Sequence, residues 1–497
     1  MPLGSSKYVA AFDLGTTSAR VIIFDEYGSP QAACQRPLTQ IFPKEGWVEQ
    51  DPMEMFRQQL ACFKGALSDL NILPSDISAI GITNQRETTV VWEKATGRPI
   101  YPAIVWQDHR TTEQCEALGA HSLMIRERTG LKLDPYFSAT KIRWILDHVS
   151  GARAKAQAGE LLFGTVDSWL IWNLTGGRRH MTDITNASRT LLANIRTGRW
   201  DEELLGMFGV PVSMLPEITP CCGALAESDP EVLGACIPIS GTAGDQQSAA
   251  IGQACFRPGM TKNTYGTGGF LLMNTGKTAP LSDHLLSTVG WEVGGDRSYA
   301  LEGSVFIAGA VVQWLKDGLG LFRTSAEIET LASQVQDNGE VYLVPAFVGL
   351  GAPYWDPFAR GMIIGITRGT SRAHIARAAL ESIAFQCNEV LQVMAADTGA
   401  PVEDLRVDGG AAENDLLMQF QADLANVPVV RPVVTETTAL GAAYLAGLGI
   451  GLWEDFSEIE SLWRRERIFE PKMSQDRREY LTKQWHRAVA RTRGWEQ

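Results

Sequence analysis

The stretch Tyr8-Val9-Ala10-Ala11-Phe12-Asp13-Leu14-Gly15-Thr16-Thr17-Ser18, with the apolar run Val21 to Phe24 behind it, decides how this chain is read. An apolar run, a Gly/Thr turn and a second apolar run ending at Asp25-Glu26-Tyr27-Gly28 predict two strands of a β-meander. The unit returns in the second half: Thr261 to Thr264, the turn Tyr265-Gly266-Thr267-Gly268-Gly269, then Phe270 to Met273. No low-complexity linker separates the two units. They predict two α/β domains, residues 1–252 and 253–497, hinged about a cleft near residues 252–260. A length of 497 residues agrees with two cores of roughly 200–250 residues each.

Between and after these units the same alternation continues. Ile77 to Ile82 reads as a buried strand running into the polar cluster Thr83-Asn84-Gln85-Arg86-Glu87, with Thr89 to Trp92 resuming as strand. Ser138 to Val149 carries Ile142, Ile145, Leu146 and Val149 on one helical face. Cys236 to Ser240 reads as a strand, Gly241-Thr242-Ala243-Gly244-Asp245 as a loop, and Gln246 to Ala254 as a helix. Ser371 caps a helix to about Ala396. Leu405 to Val407 is a strand that ends at Asp408-Gly409-Gly410, before a helix from about Glu413 to Ala425. Ala439 to Leu448 is an Ala/Gly-rich helix suited to close packing.

Net charge and cysteine use narrow the function. A net charge of -13 argues against a nucleic-acid or membrane-surface partner, while leaving room for an anionic substrate at a locally positive site. The eight cysteines include no Cys-x-x-Cys pair and no zinc spacing, so free thiols in a reducing compartment are expected, the vicinal Cys221-Cys222 included. Residues 1–7 lack the basic and apolar regions of a secretion signal, and no apolar run approaches ~18 residues. A cytoplasmic protein is expected.

Phosphates are held by backbone N–H groups in Gly-rich turns, aided by hydroxyls and a cation. Gly15, Thr16, Thr17, Ser18 and Arg20 supply these together, and Asp13 at the strand end is placed to hold Mg²⁺ through water. A hairpin with capping hydroxyls would look the same. The second turn, around Thr267, and the third Gly cluster, Gly409-Gly410, favour a nucleotide clamp over three packing turns. Asp245 is either an N-cap or a general base that accepts the proton of an attacking hydroxyl. Glycines at 241 and 244 would let a substrate approach it. Arg86-Glu87 is either a surface ion pair or a donor–acceptor pair for adjacent hydroxyls of a polyol, with Trp106 and Phe270 covering CH faces or filling the core.

Longer segments carry a family resemblance. Tyr136-Phe137-Ser138-Ala139-Thr140-Lys141-Ile142-Arg143-Trp144 resembles one signature of the FGGY carbohydrate kinases. Gly361 to Ile366 with His374 and Ala378 to Glu381 echoes the other. Within that family the segments Gly81 to Thr89, Ala243 to Gln247 and Lys262 to Gly268 are most similar to members acting on glycerol. The resemblance spans nearly the whole chain. It implies two RNase-H-like domains of the actin, hexokinase and Hsp70 type around an ATP cleft, and phosphorylation of glycerol by ATP with Mg²⁺. It places Arg86, Glu87, Trp106, Tyr136, Asp245, Gln246 and Phe270 on the acceptor, with Asp245 as the base. It places Thr16, Thr17, Ser18, Arg20, Thr267, Gly309, Gln313, Gly410 and Asn414 on the nucleotide. A homo-oligomer, dimer or tetramer, is expected as well. Leu14 and Gly269 stand where many members carry Gln and Cys. Ala226 to Cys236 lacks the Gly-Gly-Thr-Arg loop through which some members bind fructose bisphosphate, and it contains no His. Another polyol or sugar as acceptor, or a nucleotide switch of the actin or Hsp70 kind, are the alternative readings.

Overall fold

In the computed structural model, which describes residues 8–496, the opening stretch is the expected meander. Strand β1 (Tyr8–Leu14) pairs antiparallel with β2 (Ser18–Phe24), and β2 pairs antiparallel with β3 (Pro30–Pro37). Helix α1 (Pro52–Leu70) packs on them through Met55, Cys62, Phe63 and Ala66, and Asp51 caps it by accepting from Met53 N. Strand β4 (Ile77–Asn84) follows, then helix α2 (Ser138–His148), and strands β5 (Cys222–Glu227) and β6 (Pro238–Gly244) complete the sheet. The order is β5-β6-β4-β1-β2-β3, with β4 parallel to β1 and β6 parallel to β4. Covered on both faces, β1 and β4 carry the near-continuous apolar runs that the sequence displays.

Helix α3 (Asp245–Gly252) leads to the second sheet. It contains β7 (Thr261–Tyr265), β8 (Gly269–Gly276), β9 (Leu286–Val293) and β10 (Asp296–Val305). Helices α4 (Gly309–Asp317) and α5 (Arg372–Thr398) come next, then β11 (Leu405–Asp408), α6 (Asp415–Ala425) and β12 (Val429–Pro432). Helix α7 (Thr437–Gly449) and β13 (Arg465–Phe469) end the second unit. The order is β9-β10-β8-β7-β11-β12-β13, with β7, β11 and β12 parallel. Both sheets therefore join an antiparallel meander to parallel strands that emerge on one side of it. This is the mixed α/β, two-sheet architecture expected from the repeated unit.

One element crosses between the two halves. Helix α7 lies between β12 and β13 of the second sheet in sequence yet packs on β1, β4, β6 and α3 of the first half. The approach is close enough that only glycine fits. A Cβ on Gly81 would lie 2.0 Å from Ala442 O, one on Gly241 2.3 Å from Ala446 N, and one on Gly441 1.8 Å from Ser248 O. This corrects the reading of residues 241–244 as a loop open to substrate. They continue β6 to Gly244; Gly241 makes room for α7, and Gly244 makes room for Arg86, whose Cδ would sit 2.6 Å from an added Cβ.

Among the described residues all eight cysteines are free, and no helix is long and apolar enough to cross a membrane. The reading of residues 1–7 lies outside the described residues.

Candidate active site

The parallel strands β1, β4 and β6 end at one edge, where Asp13 pairs in register with Thr83 and Gly244 with Asn84. The chain leaving each strand end therefore delivers Asp13, Arg86-Glu87 and Asp245 to one place, as open α/β sheets do. The turn after β4 is tight. Glu87 has φ +62°, a left-handed conformation disfavoured for a side chain with a Cβ, and Thr88 N donates to Arg86 O at 2.7 Å. Ser138 Oγ at the start of α2 donates to Glu87 O at 2.9 Å and holds the turn.

Arg86 and Glu87 are not a surface pair, nor do they pair with each other. Glu302 of β10 takes both Arg86 terminal nitrogens, at 2.5 and 3.0 Å. Arg86 Nη1 also donates to Gln247 Oε1 at 3.2 Å, and its Nε lies 2.9 Å from Asp245 Oδ1, out of line for a hydrogen bond. Glu87 is held instead by Arg189, whose Nε donates to Glu87 Oε1 at 2.6 Å while Nη2 donates to Glu302 Oε1 at 3.0 Å. All four side chains are buried, none more than 3% exposed. Burial pushes the Glu302 carboxyl up, but Arg189 and Arg86 overcome it and hold the group down at about 2. For Glu87 burial wins over the two arginines, and its pKa rises.

Asp245 is the carboxylate of this cluster that reaches solvent, with 30% of its side chain exposed. It is the first helical residue of α3, and the cap position belongs to Gly244, so the N-cap alternative falls away. Its Oδ1 accepts from Gln246 N at 2.7 Å. Gln246 in turn accepts from Lys262 Nζ, which also donates to Thr264 Oγ1 and to Phe270 O at 2.9 and 3.1 Å. Burial lowers the Lys262 pKa to about 8. Beside these groups Trp106 stands edge-to-face with Tyr136 at 5.4 Å and with Phe270 at 6.4 Å. The acceptor residues expected from the sequence thus come together, and both sheets contribute to them.

Trp106 also ties this pocket to the first Gly/Thr turn, because its Nε1 donates to Thr16 Oγ1 at 2.9 Å. Gln50 Nε2 pins Thr16 O at 2.7 Å, and Gly15 N closes the turn on Ser18 O at 3.0 Å. Thr17 is exposed. Arg20 lies opposite Asp13 in the β1–β2 register and forms an ion pair with Glu436, the residue at the N-cap position of α7.

In the second turn Gly309 N donates to Gly266 O at 2.9 Å and Ala310 N to Thr267 O at 3.1 Å, so the first donors of α4 are spent within the protein. Gln313 is exposed one helical turn later. In the third, Gly409 (φ +83°) packs on the Tyr265 backbone, whereas a Cβ on Gly410 would meet nothing within 4 Å. Asn414 caps α6 by accepting from Leu417 N at 2.8 Å, which leaves its amide N–H groups for a ligand.

Sequence reasoning missed Arg189, Glu302 and Glu436, and quoted Gln247 and Lys262 only within motifs. Lys262 does leave a signal, since it is the lone charge inside a short strand, whereas Glu302 shares a longer strand with Asp296 and Arg297. Arg189 leaves none.

For magnesium, burial raises the Asp13 pKa to about 7, with Asp245 and Glu436 adding to the rise and Arg20 opposing it. Among the described residues no group of three or more His, Cys, Asp or Glu could hold a metal ion. A single carboxylate beside a phosphate-type turn still fits magnesium, which keeps several waters and takes phosphate oxygens as its other ligands.

The comparisons with known proteins agree with this geometry. Residues 8–252 match the N-terminal domain of the FGGY family of carbohydrate kinases, and residues 261–450 match its C-terminal domain. The chain belongs to that family. Among its relatives is a protein named glycerol kinase from Dechloromonas aromatica, 58% identical over 494 residues, 99% of this chain and 98% of the relative. Glycerol kinase 2 of Thermotoga maritima is 58% identical over 493 residues, covering 99% of each chain. The crystal structure of Plasmodium falciparum glycerol kinase with ADP superposes with a TM-score of 0.91 at 38% identity, covering 99% of each chain.

Proposed function

We propose that the protein transfers the γ-phosphoryl group of ATP to a terminal hydroxyl of glycerol, giving sn-glycerol 3-phosphate and ADP. The observation that carries this reading is the partly exposed Asp245 carboxylate, set against a buried ring of donors and acceptors and walled by Trp106, Tyr136 and Phe270. The full-length likeness to proteins named glycerol kinases supports glycerol as the acceptor.

Arg86 has five N–H groups: two serve Glu302, one serves Gln247 and one faces Asp245, so a single donor remains for a hydroxyl. Glu87 Oε1 is taken by Arg189, which leaves Oε2 as an acceptor for the adjacent hydroxyl. One donor beside one acceptor suits a vicinal diol, and the aromatic trio covers the CH faces of a short chain. Gln246 adds an amide fixed by Lys262. Asp245 orients the terminal hydroxyl and takes its proton as the oxygen bonds to the γ-phosphorus and the bond to ADP breaks.

Thr16, Thr17 and Ser18 offer hydroxyls to the transferred phosphate, and Arg20 offers a cation to its developing charge. Thr267, Gly309, Gln313, Gly410 and Asn414 line the nucleotide side. Magnesium, when bound, neutralises phosphate charge, and Asp13 is the residue assigned to hold it. The halves 1–252 and 253–497 act as domains that close on both substrates and exclude water. The enzyme works in the cytoplasm as a dimer or tetramer, which sedimentation of the pure protein would check.

A coupled assay for ADP release across glycerol, xylulose, ribulose and gluconate tests the function. Glycerol is expected to give the highest kcat/KM. Preference for a pentulose or gluconate would move the protein elsewhere in its family, and ATP turnover unaffected by any polyol would make it a nucleotide switch.

A further inference from the structure

We propose that Glu302 and Arg189 are positioning residues for the acceptor site, a device that rests on the polyol reading above. Neither side chain has any exposed surface, so neither reaches bulk solvent. Their contacts run to the groups assigned to glycerol. Glu302 uses both oxygens on the two terminal nitrogens of Arg86, and its Oε1 also accepts from Arg189 Nη2. Arg189 continues the chain to Glu87 Oε1. One buried carboxylate thus orients the donor of the site directly and its acceptor through Arg189.

The charges demand this partner. Arg86 and Arg189 are two cations in one dry space, and without Glu302 the single carboxyl of Glu87, bonded to Arg189 alone, would be left to offset both. Glu302 also has a particular origin. It comes from β10 of the second sheet, whereas Arg86, Glu87 and Arg189 come from the first half. The acceptor pocket is therefore framed across the two halves by an ion pair, apart from the nucleotide turns. Arg189 Nη1 is buried and has no hydrogen-bond partner among the described residues, which leaves a further donor nitrogen in the same frame.

The test is a kinetic comparison of Glu302→Gln, Glu302→Asp and Arg189→Lys with the wild-type enzyme. Glycerol KM, kcat, ATP KM, ADP affinity by calorimetry and Tm are all measured. Glu302→Gln keeps the shape and removes the charge. It is expected to raise glycerol KM ~10–100-fold, the cost of disturbing charge-assisted hydrogen bonds, and to lower kcat through Arg86 and Asp245. ATP KM and ADP affinity should stay within about threefold, because the pair's hydrogen bonds run to Arg86 and Glu87 and not to residues assigned to the nucleotide. Glu302→Asp, which keeps the charge on a shorter arm, should recover part of the loss. Arg189→Lys should raise glycerol KM and spare ATP KM.

A purely structural role predicts a lower Tm and less active enzyme with every KM unchanged, and that result would overturn the proposal. Equal damage to glycerol and ATP constants would overturn it too. Should Glu302→Gln not fold, Arg189→Lys and Glu302→Asp decide by the same split. Wild-type enzyme that fails to phosphorylate glycerol would sink the functional reading itself. Active wild type with a glycerol KM untouched in these variants would sink only the positioning role.

Discussion

Around Arg86 the cleft is lined by ionised side chains locked to one another with almost no exposure, whereas the turns at Gly15–Ser18 and Gly266–Gly269 consist of backbone, hydroxyls and glycine. A neutral polyol has no charge to attract it, so its donors and acceptors must be fixed beforehand in a dry frame, the role proposed above for the ion pairs of Glu302, Arg189 and Glu87. A triphosphate brings its own charge and asks for room and N–H groups. Gly410, where a side chain would meet nothing, is the position proposed to supply the room. The two sides meet at Trp106, which bonds Thr16 on one and packs on Phe270 on the other. If this contrast is right, damage to the acceptor frame should read out in glycerol constants and damage to the turns in nucleotide constants.

The largest effect is expected at Asp245. Asp245→Asn should cut kcat by ~10²–10⁴-fold, the range for a positioned acid–base group, with ATP affinity changed only slightly. Because Gly244 holds the cap position, helix α3 does not depend on the carboxylate, and Tm should stay near wild type. Turnover within a few-fold of wild type would remove Asp245 from the chemistry.

On the nucleotide side, Arg20→Ala should lower kcat/KM by ~10²-fold, since it takes a cation away from developing phosphoryl charge. Glycerol binding measured without nucleotide should be unaffected, and a weakened glycerol affinity would break the division between the two sides. Arg20 also pairs with Glu436 across the halves, so a small loss of Tm is compatible with this reading.

A smaller change should follow from Gly410→Ala. An added methyl meets no protein atom, so stability should hold within ~0.5 kcal/mol. ATP KM should rise ~10-fold if the position faces the nucleotide. Unchanged ATP kinetics would place Gly410 outside the site.

The smallest expected effect is on stability and depends on pH. Burial raises Asp13 from its ordinary 3.8 to about 7, so the folded state disfavours the charged form. Its penalty is absent below pH 3.8, grows as pH rises between 3.8 and about 7, and is complete above that. Asp13→Asn should therefore melt higher than wild type at pH 8, and this advantage should shrink as the pH falls toward 4. An Asn variant that gains nothing at pH 8 would show that Asp13 is not strained by its surroundings. Its magnesium dependence, assayed alongside, is expected to weaken.

The sequence alone determined the two α/β units, because strand–turn–strand periodicity and Gly/Thr punctuation are local properties of the chain. It also pointed to Asp13, Arg86-Glu87 and Asp245, since polar residues that follow apolar strands fall at strand ends. Which alternative each fulfilled was not local. Asp245 ceased to be a cap once β6 ran through to Gly244, and the glycines at 241 and 244 proved to admit α7 and Arg86 rather than a substrate. Arg189 and Glu302 came to Arg86 and Glu87 only through tertiary packing, 103 residues separating Arg189 from Arg86 and 216 separating Glu302 from it. A buried ion pair is chosen by where sheets bring charges together, and no spacing along the chain records that choice.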